Sequence, residues 1–176
     1  AGSLPIVIKM KMQNLREEIE IPEGVTVTAD SGRMSVSKGK AMNTRVFRDP
    51  RITIQKEGNK IVLQAAKASK REKMRVGTFA AHLRNMIKGV NEQWVYKLKV
   101  CAGHFPMNIT ITGKQFIVKN FVGEKVPRVL ELPEGVEVKL EGSDVTVTSH
   151  DKEIAGRIAG AIELLCRRPG FDPRVF

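Results

Sequence analysis

Three histidines and two cysteines are the side chains of this 176-residue chain with the most chemistry to offer: His82, His104, His150, Cys101 and Cys166. Imidazole and thiolate ligate zinc, and either serves in nucleophilic catalysis when a base or acid stands beside it. The run CAGH, Cys101 to His104, has the spacing of half a metal site, but no second half occurs in the sequence. His82 falls one step off the apolar stripe of a helix and reads as a boundary or surface residue. No phosphate loop and no Gly-x-Gly-x-x-Gly fingerprint is present. Glu131, Glu134, Glu137 and Glu141 alternate with apolar residues, as the solvent side of strands does, and form no acid–base pair. The chain is therefore not expected to be an enzyme, nor to need a cofactor, metal or small-molecule substrate.

What remains is charge. Thirty Lys and Arg against 19 Asp and Glu give a formal net charge of +11, which points to a polyanion, nucleic acid first. The excess is uneven: residues 1–92 hold 18 cations against 9 carboxylates, and residues 93–176 hold 12 against 10. The second half must therefore gather its cations locally if it binds an anion. It does so in VKNFVGEKVPR, which sets Lys119, Asn120, Lys125 and Arg128 around Gly123, and in LCRRPGFDPRVF, with Arg167, Arg168 and Arg174. Cations and an amide beside a glycine suit a phosphate backbone, although a solvated connector has the same composition. Arg167 and Arg168 also suit the end of a helix dipole. The densest basic run is KASKREKMR, Lys67 to Arg75, readable too as the exposed start of a helix. No aromatic pair suits base stacking on adjacent strands, so structured RNA, held by phosphate and shape, is the expected target. No apolar run approaches the ~20 residues of a membrane span, and the opening residues lack a signal-peptide pattern. Two cysteines without a framework fit a reduced compartment.

The elements that would position these residues come in duplicate. ITIQKEGNKIVLQ (Ile52 to Gln64) is echoed by VEVKLEGSDVTVT (Val136 to Thr148), and each alternates with period two around a Glu-Gly turn. The same shift of 84 residues pairs Thr26-Val27-Thr28 with Thr110-Ile111-Thr112. Met34–Lys38 then pairs with Phe116–Asn120 once three residues are dropped from the turn. A helix follows each pair of hairpins. One begins near Ser69, where Ser69 and Glu72 make a capping box, and ends at Gly89; the other begins near Asp151 and stops before Pro169. Gly156 and Gly160 let the second helix lie close on its sheet. The fold class is α+β, with two tandem units, 1–92 and 93–176. Each is a mainly antiparallel sheet of two hairpins, four strands in all, with one helix on one face. Trp94 and Tyr96 follow the boundary, and at least one is expected to pack between the units.

Three stretches together are distinctive: NMIKGV (Asn85 to Val90), YKLKVCAGHFPMNI (Tyr96 to Ile109) and KNFVGEKVPRV (Lys119 to Val129). In this order and spacing the sequence resembles the ribosomal protein L-six family of the large subunit, in its archaeal and eukaryotic cytosolic branch, along nearly the whole chain. The resemblance implies a structural protein of the cytoplasmic ribosome whose partners are large-subunit rRNA and neighbouring ribosomal proteins. It implies that the second unit makes the principal rRNA contact, near the sarcin-ricin loop and factor-binding region. Carried onto this sequence, the contact residues are Lys97, Lys99 and His104; then Lys119, Asn120, Gly123, Lys125 and Arg128; then Arg167, Arg168 and Arg174. The rival reading from another class is a non-catalytic protein-interaction scaffold with a basic surface.

Overall fold

The computed structural model describes residues 13–30, 32–102 and 105–170. The chain divides into two compact units between Ile87 and Lys88, inside a helix and five residues before the boundary read from the sequence. In the first unit the strands are β1 (Gln13–Glu20), β2 (Thr26–Asp30), β3 (Arg33–Lys38), β4 (Ala41–Val46), β5 (Thr53–Glu57) and β6 (Lys60–Ala68), before α1 (Lys70–Asn91). In the second they are β7 (Trp94–Lys99), β8 (Asn108–Thr112), β9 (Gln115–Lys119), β10 (Arg128–Glu131), β11 (Val136–Glu141) and β12 (Asp144–Ser149), before α2 (Lys152–Leu165).

The α+β class and the tandem duplication hold. The single four-stranded sheet per unit does not. Each hairpin takes a third strand, giving antiparallel sheets ordered β1-β6-β5 and β2-β3-β4 in the first unit, and β11-β12-β7 and β10-β9-β8 in the second. Four strands were unforeseen; β7, WVYKLK, alternates cleanly, and the other three have weak patterns. QNLREEIE in β1 has only two apolar residues, AMNTRV in β4 is half polar, and RVLE in β10 is four residues long. Their backbone groups pair with a ready-made hairpin edge, so they need little patterning of their own.

Register makes the duplication concrete. Glu57 faces Lys60, and 84 residues later Glu141 faces Asp144. The other hairpin obeys a shift of 82: Asp30 faces Arg33, and Thr112 faces Gln115. Val27 therefore corresponds to Ile109, the pairing of Thr26-Val27-Thr28 with Thr110-Ile111-Thr112 is two residues out, and no residues are lost from the turn. A slip of two leaves every side chain on its own face, so alternation alone does not detect it. Matching strand-end bonds recur in both copies. Ile21 N–H donates to the Asn59 carbonyl at 2.9 Å, as Val100 N–H does to Ser143 at 2.7 Å. Phe47 N–H donates to Gly32 at 2.7 Å, as Leu132 N–H does to Lys114 at 2.7 Å. The copies differ in one connection. Two residues, 39–40, join β3 to β4; eight, 120–127, join β9 to β10.

Each core follows from one-sided burial. In β11 the inward residues Val136, Val138 and Leu140 alternate with exposed Glu137, Lys139 and Glu141. Phe116, Val118, Val145 and Val147 are fully buried with Ile158, Ala159 and Ile162 of α2, at about 1.5–3 kcal/mol for each large side chain removed from water. In the first unit Val76, Ala80, Leu83 and Ile87 of α1 are buried at the expected helical spacing, and Phe47 meets Phe79 edge-on at 5.1 Å. Tyr96 packs against the second unit's own core. The Lys88 and Lys152 ammonium groups lie over the Trp94 ring, at 5.0 and 4.7 Å. Among the described residues no helix is long and apolar enough to cross a membrane.

Both helix starts match the sequence reading. Ser69 Oγ accepts from Arg71 N–H at 3.3 Å, while the Glu72 carboxylate accepts from Ser69 N–H at 2.9 Å and also bonds the Ser69 hydroxyl. Arg51 Nη1 donates to its other oxygen at 2.8 Å. The Ser69 hydroxyl first, then Arg51, hold the Glu72 carboxyl down at about 2 against an ordinary 4.5. Asp151 caps α2 by accepting from Glu153 N–H at 2.8 Å. Gly89, however, is no terminator: α1 runs on to Asn91. A Cβ there would stand 2.0 Å from the His150 carbonyl oxygen and 2.8 Å from Trp94 Nε1. Gly156 likewise admits Tyr96, whose hydroxyl would lie 3.3 Å from an added Cβ, whereas nothing lies within 4 Å at Gly160.

Two measurements follow. Gly89→Ala should cost about 1–3 kcal/mol in urea unfolding despite alanine's better helix propensity, because backbone would have to move. Gly160→Ala, on the same scale, should be neutral or stabilising by up to about 1 kcal/mol. The depressed Glu72 pKa contributes stability that is fully present above pH 4.5 and is lost as pH falls from about 4.5 to about 2. A Glu72→Gln variant should show a flatter stability–pH curve across that window than the parent chain.

Candidate nucleic-acid interface

The eight-residue connector of the second unit gathers most of the candidate residues. Lys119 closes β9 with its side chain exposed. Asn120 then turns the chain with φ of 61°, in the left-handed region that Asn tolerates, and its Nδ2 donates to the Pro106 carbonyl at 3.0 Å. That bond ties the connector to the segment before β8. A single 3-10 turn, Phe121–Gly123, follows, in which Val122 takes φ of 48° and Gly123 takes 79°. A Cβ at Gly123 would touch the Phe105 ring only at an ordinary 3.7 Å, so conformation rather than space calls for glycine there. Val122 has no such licence, and a β-branched residue with positive φ stores strain of roughly 1–2 kcal/mol that its surroundings must offset.

Arg128 ties down the residues on either side of this turn. Its Nε and Nη2 donate to the two Glu124 oxygens at 2.8 and 2.7 Å, forming a bidentate pair. Its Nη1 donates to the carbonyls of Leu165 and Arg167 at 2.6 and 3.1 Å, and its guanidinium lies over the Phe121 ring at 4.4 Å. One side chain thus links the connector's acid, its aromatic ring and the unsatisfied carbonyls at the end of α2. The charge-assisted bonds from Arg128 push Glu124 below the usual carboxylate range, and Glu124 raises Arg128 in turn. Four of the five guanidinium N–H groups of Arg128 are engaged within the protein. Its place in the sequence signals the pair, since Glu124 stands four residues earlier; the carboxylate was absent from the sequence reading, which weighed only cations and an amide.

The clamp leaves other cations outward. Lys119, Lys125 and Arg167 are exposed, and their side chains make no hydrogen bond or ion pair among the described residues. Arg168 is exposed and near enough to Glu124 to help lower its pKa. Lys119 also rims a shallow, open depression lined by Val100, Met107, Ile109, Thr110 and Leu140. Lys97 and Lys99 lie elsewhere, on the exposed face of the β11-β12-β7 sheet, opposite Thr146 and Asp144. His104 and Arg174 lie outside the described residues. Sequence reasoning also missed two exposed apolar side chains at the connector, Val126 (77% exposed) and Phe105.

Nothing in this arrangement is set up for bond chemistry. Burial pushes the Cys166 thiol up, away from the reactive thiolate, and the described residues contain no cluster of three or more metal-ligating side chains. A preorganised, outward-facing group of cations can hold a polyanion.

The sequence model of the family described as Ribosomal protein L6 matches residues 21–93 and 105–175, one stretch for most of each unit. A large ribosomal subunit protein uL6 from Methanococcus vannielii is 40% identical over 162 residues, covering 92% of this chain and 89% of that protein. A protein of the same name from Aeropyrum pernix is 42% identical, covering 91% and 88%, and one from Methanocella arvoryzae is 37% identical, covering 90% of each.

The clamp is open to a direct test. Arg128→Lys keeps one positive charge but loses the planar fork, so urea unfolding should show a loss of about 1–3 kcal/mol. A change below about 0.5 kcal/mol would mean that the connector is held by something else.

Proposed function

The chain belongs to the ribosomal protein L6 family, which makes it a structural, non-enzymatic constituent of the large ribosomal subunit, and from that premise we propose that its second unit is the principal rRNA-binding unit. Lys119, Lys125 and Arg167, with Arg168 beside them, contact phosphates of large-subunit rRNA near the sarcin-ricin and factor-binding region. Asn120, Gly123 and Arg128 shape the connector that presents them. Lys97 and Lys99 add a second, weaker group on the open sheet face, and His104 and Arg174 complete the set.

One observation carries the reading. At the place where the first copy turns in two residues, the second uses eight, braces them with an arginine clamp and leaves cations exposed. A plain connector needs no such bracing. The exposed Val126 favours a protein neighbour at the same edge, so the scaffold reading survives as a complement: rRNA under the cations, a neighbouring ribosomal protein against the apolar tip.

Binding of the full chain to a large-subunit rRNA transcript should weaken steeply with salt, by about 0.9 in the slope of log affinity against log salt for each duplex phosphate neutralised. Lys119→Ala with Lys125→Ala should make that slope shallower by nearly two and weaken binding roughly tenfold or more, about 1.4 kcal/mol or above. A flat salt response, or an unchanged slope in the double variant, would sink the assignment. Glu124→Gln gives a sharper result. It removes a negative charge, yet it should lower affinity, because Arg128 loses its anchor and the connector its shape. Tighter binding would refute the clamp's role.

A further inference from the structure

The first unit holds a second group of cations that the reading above leaves unused. Two carboxylates at its centre are nearly buried: the side chains of Asp49 and Glu72 are 3% and 4% exposed. Asp49 accepts from Arg51 N–H at 2.9 Å and from Arg75 Nη1 at 2.5 Å. Glu72 accepts from Ser69 and from Arg51 Nη1. Both acids are thus spent inward, as anchors. The guanidiniums they hold stay at the surface, 72% exposed at Arg51 and 52% at Arg75, with the rest of each fork free to face outward. Around them stand Arg48, Lys70, Arg71 and Lys73, all exposed, and their side chains make no hydrogen bond or ion pair among the described residues. Six cations surround two consumed carboxylates.

This placement works against the fold. Lys70, Arg71 and Lys73 occupy the first turn of α1, where the helix dipole favours anions, and the pairs Lys70/Lys73 and Arg71/Arg75 are like charges at neighbouring positions on one helix surface. In that turn only Glu72 has the sign the dipole favours, and its carboxylate is taken up by Ser69 and Arg51. Among the described residues of this surface no aromatic side chain is exposed as an anchor for a protein partner; Met74 is its exposed large apolar side chain. Arg71 and Arg75 lie about 6 Å apart along the helix axis, the scale of successive phosphates on a strand.

We propose that this surface of the first unit binds an RNA phosphate backbone at a site separate from the second unit's connector, so that the protein engages RNA through both copies. RNA as the partner class rests on the ribosomal reading; the surface does not.

The test uses the full chain with Arg48, Lys70, Arg71 and Lys73 replaced by Ala, leaving the anchored Arg51 and Arg75 in place. Against a large-subunit rRNA transcript at 0.15 M salt, affinity should fall at least tenfold. The salt slope should become shallower by about 3, and Tm should hold or rise as repulsion is relieved. Lysine-to-RNA crosslinks from Lys70 and Lys73 should map to nucleotides other than those reached by Lys119 and Lys125. Unchanged affinity and slope would overturn the proposal. So would normal rRNA binding with loss of assembly only when ribosomal proteins are present, which would identify an acidic protein as the partner. If the fourfold variant loses its fold, Arg48→Gln with Lys73→Gln carries the same comparison. The Lys119/Lys125 variant reports on the connector separately, so failure of either site is read without the other.

Discussion

A sheet three strands wide can hide only one of its faces, and every unit here is organised around that restriction. In β11 and β12 the inward positions are mostly Val and Leu and the outward ones charged or hydroxylated, while Asn43 and Ser149 are buried polar exceptions and Met42, Val95 and Val129 exposed apolar ones. A helix with a single apolar stripe covers what the strands cannot cover for themselves. Where the cover must come close, side chains are removed. Gly156 yields to the Tyr96 hydroxyl, and Gly89 lets the end of α1 sit against the His150 carbonyl. With few aromatic residues, closeness of approach takes the place of bulk.

How much of this was legible in the sequence depends on which signal each element carries. Hairpins with strict alternation and a Glu-Gly turn were read with the correct partners, because periodicity and turn chemistry agree there. The offset of the other hairpin was misjudged by two residues, an error to which a period of two is blind. The third strands were missed because edge pairing asks for backbone rather than side chains. Gly89 was misread for a related reason. A glycine late in a helix usually marks its end, but here it marks an approach between segments 61 residues apart in sequence, about which local sequence is silent.

The candidate interface was legible in outline and not in function. Lys119, Asn120, Gly123, Lys125 and Arg128 do sit together, with Arg167 and Arg168 brought alongside from the chain's far end. Sequence treats them as equivalent, because it counts charges. Geometry separates them: Asn120 and Arg128 are turned inward to hold shape, while Lys119 and Lys125 are left outside. Glu124, a carboxylate in a basic loop that the count of cations passed over, is half of the brace. In the first unit the same logic recurs with Asp49 and Glu72, each buried beneath an arginine it steadies. In the second unit the acid is no deeper than its base: Glu124 and Arg128 are both half-buried.

The contrast between residues 39–40 and residues 120–127 has a further consequence. The ladder on either side of these connections is fixed by its own pairing, Ser37 with Met42 in one copy and Val118 with Arg128 in the other. Closing a longer loop costs only about 0.6 kcal/mol per doubling of length. A duplicated scaffold of this kind therefore behaves like a pair of identical sockets, one blanked off and one fitted with a tool. The blank socket is an engineering opening: a graft at Gly39 and Lys40 would sit on the same strand junction that carries eight residues in the other copy.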